Sequence, residues 1–188
     1  MMLKSAARKD LLAKRQALTE ADCIKLDDLL LIQLQKLDWS TTHIFGSYYP
    51  SENHAEPNTL LFIKYLKYCI PHLIVTYPII NDQDYSMEFY EETDDQSINK
   101  WGIQEPLPKQ IIHPHQLDTF FVPLIGFDLS GHRIGYGKGY YDRYFARLKQ
   151  PVKRIGISYF EPLPKMEDTH QFDVPLSHCI TPWNIYEF

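Results

Sequence analysis

The residues with the most evident chemistry are crowded into one stretch. Of the chain's 8 glycines, Gly131, Gly135, Gly137 and Gly139 fall within nine positions of one another, interleaved with Arg133 and Lys138. The stretch follows an apolar segment that reads as a strand and runs into one that reads as a helix, the place where α/β proteins bind phosphates. Glycines at alternate positions let the backbone curl so that successive N–H groups face one concavity. The following helix would add its positive end, and the two cations full charges. The spacing matches neither the dinucleotide-binding nor the P-loop pattern. The plainer reading is a tight turn that needs positive φ, and the two cations at a helix start argue for anion binding over it.

Asp142 has two readings that the local sequence leaves open. In a first helical turn it complements the free N–H groups; beside a polyphosphate it could hold Mg²⁺, which takes one or two carboxylates plus phosphate oxygens. At about 100° per residue, Arg8 and Arg15 fall roughly 40° and 20° round a helix from Lys4. The three thus share one stripe at the border of the apolar side of Leu11 and Leu18. Such a stripe reaches over the core edge into a cleft, or is a solvated face, the commoner case. Glu56 sits between a strand and a helix. It suits an N–H-rich or cationic ligand, or simply charges a helix start with Pro57 at the first helical position. Trp101, Tyr140, Tyr141 and Trp183 are candidate stacking surfaces, although at 14% aromatic residues most rings belong to the core. His113 and His115 lack a third ligand, and no Ser/His/Asp or Cys/His set stands out.

The elements that must position these groups alternate in type. Helices are expected over residues 3–18, 19–37 (capped by Thr19 with Asp22), 59–70 and 140–149. Strands are expected over 43–49, 72–80, 85–90, 118–125 (ending near Pro123), 152–159 and 178–181, with a surface loop over 91–100. Alternation favours an α/β layered fold. At 188 residues with 44% apolar content, a single domain over 1–188 with a real core is expected. A net charge of −5 argues against a nucleic-acid binder. No signal-length apolar stretch follows the basic N-terminus, and runs such as residues 29–32 fall far short of the ~20 a spanning helix needs. Three scattered cysteines (Cys23, Cys69, Cys179) fit a reducing compartment. A cytoplasmic protein without membrane contact is expected.

The run Phe127-Asp128-Leu129-Ser130-Gly131-His132-Arg133-Ile134-Gly135-Tyr136-Gly137-Lys138-Gly139-Tyr140-Tyr141-Asp142-Arg143 resembles the signature of the 5-formyltetrahydrofolate cyclo-ligase family. Lys4 with Arg8 and Arg15 is similar to its N-terminal basic helix, Glu56 with Thr59 to its substrate site, and Trp101-Gly102-Ile103-Gln104-Glu105-Pro106 to its mid-chain element. Pro164 through Asp173 to Thr181 resembles its C-terminal end, so the resemblance covers nearly the whole chain. It implies a three-layer α/β/α fold with a mostly parallel central sheet, and a monomer. It also implies ATP- and Mg²⁺-dependent cyclisation of 5-formyltetrahydrofolate to 5,10-methenyltetrahydrofolate, with ADP and phosphate released. By the same resemblance Lys4, Arg8, Arg133, Ile134, Gly135, Tyr136, Gly137, Lys138, Gly139, Tyr140 and Tyr141 would bind ATP. Glu56, Trp101 and Tyr141 would bind the folate, and Asp142 and Asp173 the metal. The glycine loop by itself also suits another small-molecule kinase or ligase, or a nucleotide-binding module without turnover.

Overall fold

The structure is a computed structural model and describes residues 3–99, 102, 104–107 and 110–188. Helices α1 (Lys4–Gln16) and α2 (Glu20–Leu34) precede strand β1 (Ile44–Gly46), helix α3 (Thr59–Cys69), and strands β2 (Ile74–Asn81) and β3 (Ser86–Glu91). Next come β4 (Gln96–Ile98), β5 (Gln104–Pro106), β6 (Ile111–Ile112), β7 (Thr119–Val122), and the two-residue strands β8 (Gly126–Phe127) and β9 (Arg133–Ile134). Helix α4 (Tyr140–Ala146) and strands β10 (Lys153–Ile157), β11 (His178–Ile180) and β12 (Ile185–Glu187) complete the chain.

Eight strands form one sheet in the order β12-β11-β10-β7-β1-β2-β3-β6. The central run β11, β10, β7, β1 and β2 is parallel, flanked by antiparallel β12 on one edge and β3 with β6 on the other. Adjacent residues of a strand face opposite sides, and β7 shows why helices cover both. Phe121 packs with Phe45, Tyr77 and the α2 and α3 side chains Leu30, Leu34, Phe62 and Leu66. Phe120 packs instead with Phe89, Val122 and the α4 residues Tyr144 and Phe145. The result is the expected three-layer arrangement. Helix α1 belongs to neither layer: Ala7 and Leu11 bury against Ile125, Ile134 and Met166, over the β8–β9 hairpin.

Several boundaries differ from the sequence expectation, each for a local reason. The second helix stops at Leu34, not Leu37, because the freed Leu34 carbonyl accepts the Trp39 indole N–H and the next residues close three-residue turns. Pro57 is not the first helical position, since Asn58 caps α3 by accepting the Leu61 N–H. Helix α4 ends at Ala146, and the expected loop over 91–100 contains β4, paired with β5. The capping box at Thr19 and Asp22 is present as read.

Candidate functional site

Strand β1 lies between β2, which follows it, and β7, which starts the other half of the sheet. The connections leaving β1 and β7 therefore part in opposite directions, and the crevice between them at the strands' carboxyl ends is where such sheets bind ligands. The segment after β1 supplies Glu56; the segment after β7 leads through Leu124 into the hairpin and the glycine loop.

Helix α1 lies across this crevice, and its basic stripe makes three separate contacts. Lys4 Nζ pairs with Asp173 Oδ2 at 2.5 Å. Arg8 Nε donates to the Gly135 carbonyl at 2.7 Å, and Arg15 Nη2 to the Leu124 carbonyl at 2.7 Å. Arg15 is 1% exposed, so it does not border the core as the projection suggests but lies inside it. Asp168 receives the Lys4 backbone N–H on both oxygens, at 2.9 and 3.0 Å. It thereby satisfies a helix start for which Leu3 offers no side-chain cap.

The clustered glycines divide into two groups. Gly131 (φ 78°) turns the β8–β9 hairpin, and a side chain there would collide with Phe188. Gly137 (φ 91°) and Gly139 (φ 70°) shape the loop itself, with Gly139 at the N-cap of α4. That helix has only 7 residues, so any anion held by the loop depends on backbone N–H groups and cations more than on a helix end.

Asp142, in the first turn of α4, does not cap its own helix. Its Oδ1 accepts from Arg133 Nη2 at 2.7 Å and from the Val174 N–H at 3.0 Å, while Arg133 Nη1 donates to the Val174 carbonyl at 2.8 Å. Asp142 is thus bonded to the residue that follows Asp173. Asp173 Oδ2 accepts the His170 N–H as well as Lys4. Burial pushes the Asp173 carboxyl up, but the Lys4 ammonium and the His170 N–H outweigh it and hold it below its ordinary value. No group of three or more acidic, His or Cys side chains among the described residues is arranged to hold a metal ion.

Glu56 is held at both oxygens. Oε1 accepts from the Tyr136 hydroxyl, and Oε2 accepts the Ser51 N–H at 2.9 Å. Burial raises the Glu56 pKa, against the pull of Tyr136, Ser51, Arg15 and His54. The Tyr141 hydroxyl is buried without a partner among the described residues, and burial with the nearby Glu56 charge pushes its pKa well up. Tyr140 donates to Asp82 Oδ1 at 2.7 Å, its phenol pushed up to about 12 by burial and then by that carboxylate. Arg143 stacks over Tyr85 and Tyr140, 5.3 and 5.7 Å from the ring centres.

The structure thus gathers Lys4, Arg8, Arg133, Glu56, Asp142, Asp173 and the glycine loop around one end of the sheet. Trp101 lies outside the described residues. The sequence did not single out the partners Asp168, Ser51 and Leu124, because each of these contacts uses a backbone group, which carries no residue-type signal. A cavity of about 280 Å³, lined by Lys36, Trp39, Lys153 and His178, lies at the amino ends of β10 and β11, away from this site.

The fold and loop define a class: an α/β protein with a cation-rich glycine loop at the switch point of its sheet. The profile of the 5-formyltetrahydrofolate cyclo-ligase family matches residues 1–182, and the chain belongs to that family of ligases. The 5-formyltetrahydrofolate cyclo-ligase of Mycoplasma genitalium is 29% identical over 184 residues, spanning 95% of this chain and 99% of the relative. The 5,10-methenyltetrahydrofolate synthetase of Aquifex aeolicus superposes with a TM-score of 0.79 at 30% identity, over 99% of this chain and 93% of that one. The synthetase of Mycoplasma pneumoniae superposes with a TM-score of 0.74 at 27% identity, over 95% of this chain and 98% of its own. No helix of the described residues is long and apolar enough to cross a membrane.

Proposed function

We propose that this chain is a cytoplasmic, monomeric, single-domain enzyme over residues 1–188 that cyclises 5-formyltetrahydrofolate to 5,10-methenyltetrahydrofolate, consuming ATP and releasing ADP and phosphate. The observation that carries the reading is a glycine loop that Arg8 holds at the Gly135 carbonyl and that touches Glu56 through Tyr136, flanked by Lys4 paired with Asp173 and Arg133 paired with Asp142.

An amide-like formyl oxygen is a poor leaving group. Transfer of the γ-phosphoryl group to that oxygen turns it into a phosphate, which N10 of the folate displaces from the formyl carbon as the five-membered ring closes, the N10 proton leaving with the phosphate. The protein's part is to hold donor and acceptor in line and offset phosphate charge, without an obligatory general base. Lys4, Arg8, Arg133 and Lys138 supply charge. The backbone of Ile134, Gly135, Tyr136, Gly137, Gly139 and Tyr140 lines the triphosphate, where the Cβ position of Gly135 opens on free space. Each carboxylate oxygen has two lone pairs, so Glu56 keeps acceptor capacity for pterin N–H groups. Tyr141 offers its unpartnered hydroxyl, and Trp101 a ring for stacking.

The residues present also suit Mg²⁺. Asp142 Oδ2 and Asp173 Oδ1 accept no hydrogen bond among the described residues, and Mg²⁺ is satisfied by one or two carboxylates plus phosphate oxygens and water. When bound, the ion neutralises polyphosphate charge. Arg133 and Lys4 hold the two carboxylates in place for it.

The test is an absorbance assay at the long-wavelength methenyl band, with purified protein, 5-formyltetrahydrofolate, Mg²⁺ and ATP. ATP-dependent growth of the band matched by ADP release is the expected outcome. Folded protein that gives neither overturns the reading.

A further inference from the structure

Arg15 is a buried guanidinium without a carboxylate in contact among the described residues. Its Nη2 is satisfied by the Leu124 carbonyl at 2.7 Å, its Nη1 donates to the Tyr136 hydroxyl at 3.3 Å, and its Nε has no partner among the described residues. Burying an unpaired charge is costly. Tying α1 to the loop after β7 needs only the bond to Leu124, which a neutral donor makes at less expense. The full charge has a use one group further on, because the Tyr136 hydroxyl that Arg15 touches donates to Glu56 Oε1. Burial, and then the Glu56 charge, hold the Tyr136 phenol protonated, so it stays a donor. The Tyr136 ring is itself steadied by an edge contact with His54, 5.0 Å between centroids.

We propose that Arg15 and Tyr136 are positioning residues of the folate site: Arg15, anchored on the Leu124 carbonyl, aims the Tyr136 hydroxyl at Glu56 and so fixes where that carboxylate meets the pterin. This rests on the reading of Glu56 as a folate contact. It assigns the phenol of a residue in the ATP loop to the other substrate, while the Tyr136 main chain remains with the phosphates.

The deciding experiment measures KM for folate and for ATP in Tyr136→Phe, Glu56→Gln and the double variant. Tyr136→Phe removes one hydrogen bond to a charged group, so the folate KM rises roughly tenfold while the ATP KM stays put. In the Glu56→Gln background the same change adds less than in the parent, since its effect passes through the Glu56 charge. The pH profile gives a readout that scaffolding alone would not move. The groups facing Glu56 are Tyr136 from the loop, Arg15 from α1, Tyr48 from the segment after β1, Tyr141 from α4, and His54 and the Ser51 N–H from its own segment. Loss of the phenol donor leaves the carboxylate less stabilised, so the acid limb of kcat/KM for folate moves to higher pH. Arg15→Lys keeps the charge but cannot reach both acceptors, and gives the same selective rise in folate KM in protein whose melting confirms the fold.

A rise in ATP KM, additive loss in the double variant, or an unmoved acid limb overturns the inference. A Glu56→Gln defect in folate KM with a silent Tyr136→Phe sinks the inference alone. An unaltered folate KM in Glu56→Gln removes the site reading and the inference together.

Discussion

Asp128 has 0% exposure and is surrounded by backbone donors. Its Oδ1 accepts the N–H groups of Ser130 and His132 at 2.9 and 3.0 Å, and its Oδ2 that of Met166 at 2.9 Å. One carboxylate thereby closes the β8–β9 turn and ties it to the segment that delivers Asp168 and Asp173. Asp128→Asn preserves the shape but turns a donor toward the Met166 N–H or toward the turn. A buried donor left facing a donor costs about 2–3 kcal/mol. Urea unfolding should show a stability lowered by that amount, read as a lower midpoint with an unchanged slope, and an unmoved midpoint would deny the carboxylate this role. The contrast with Arg15 is instructive. Asp128 takes its hydrogen bonds from the backbone, with the His132 ring nitrogen 3.8 Å from its Oδ1, whereas among the described residues Arg15 keeps an unpartnered nitrogen.

At the scale of elements, the loop between β9 and α4 depends on left-handed backbone at Gly137 and Gly139. Gly139→Ala forces a Cβ into that conformation at a cost of about 1–2 kcal/mol. The nearest neighbour, 3.1 Å away, is the tip of the flexible Arg143 side chain, which can yield, so strain rather than collision dominates. The loop relaxes to relieve it, and the ATP KM should rise severalfold, more than the folate KM. Equal changes in both would place the loop's role elsewhere. This loop was legible in the sequence because glycine spacing is a local signal, as were the Thr19 cap and the strand that ends before Pro123. The hairpin strands β8 and β9 were not, because two residues carry no period. The burial of Arg15 escaped for a different reason. A helical projection fixes an angle about the axis, whereas exposure depends on what packs there, here a carbonyl 109 positions away.

At the scale of the whole molecule, the α2–α3 layer is joined to the sheet's carboxyl end by another nearly buried carboxylate. Asp27 Oδ1 accepts the Tyr159 hydroxyl at 2.9 Å and the Asn58 N–H at 3.2 Å, linking α2 to the start of α3 and to the segment after β10. Burial raises its pKa above the ordinary 3.8, and these two donors offset that only in part. A carboxyl that binds its proton more tightly when folded contributes its stability fully below its unfolded pKa, and loses it as pH rises through the folded value. Ionised Asp27 is therefore a burden on the fold at neutral pH. Asp27→Asn, with its oxygen in the same place, keeps both hydrogen bonds and sheds the charge. The variant should be more stable than the parent at pH 7, and the gap should close as pH falls toward 3.8. Chemical unfolding at a series of pH values measures this directly. A variant less stable than its parent by a pH-independent amount would mean that the two bonds need the carboxylate's charge, and that the α2–α3 layer is held to the sheet by that charge despite its burial.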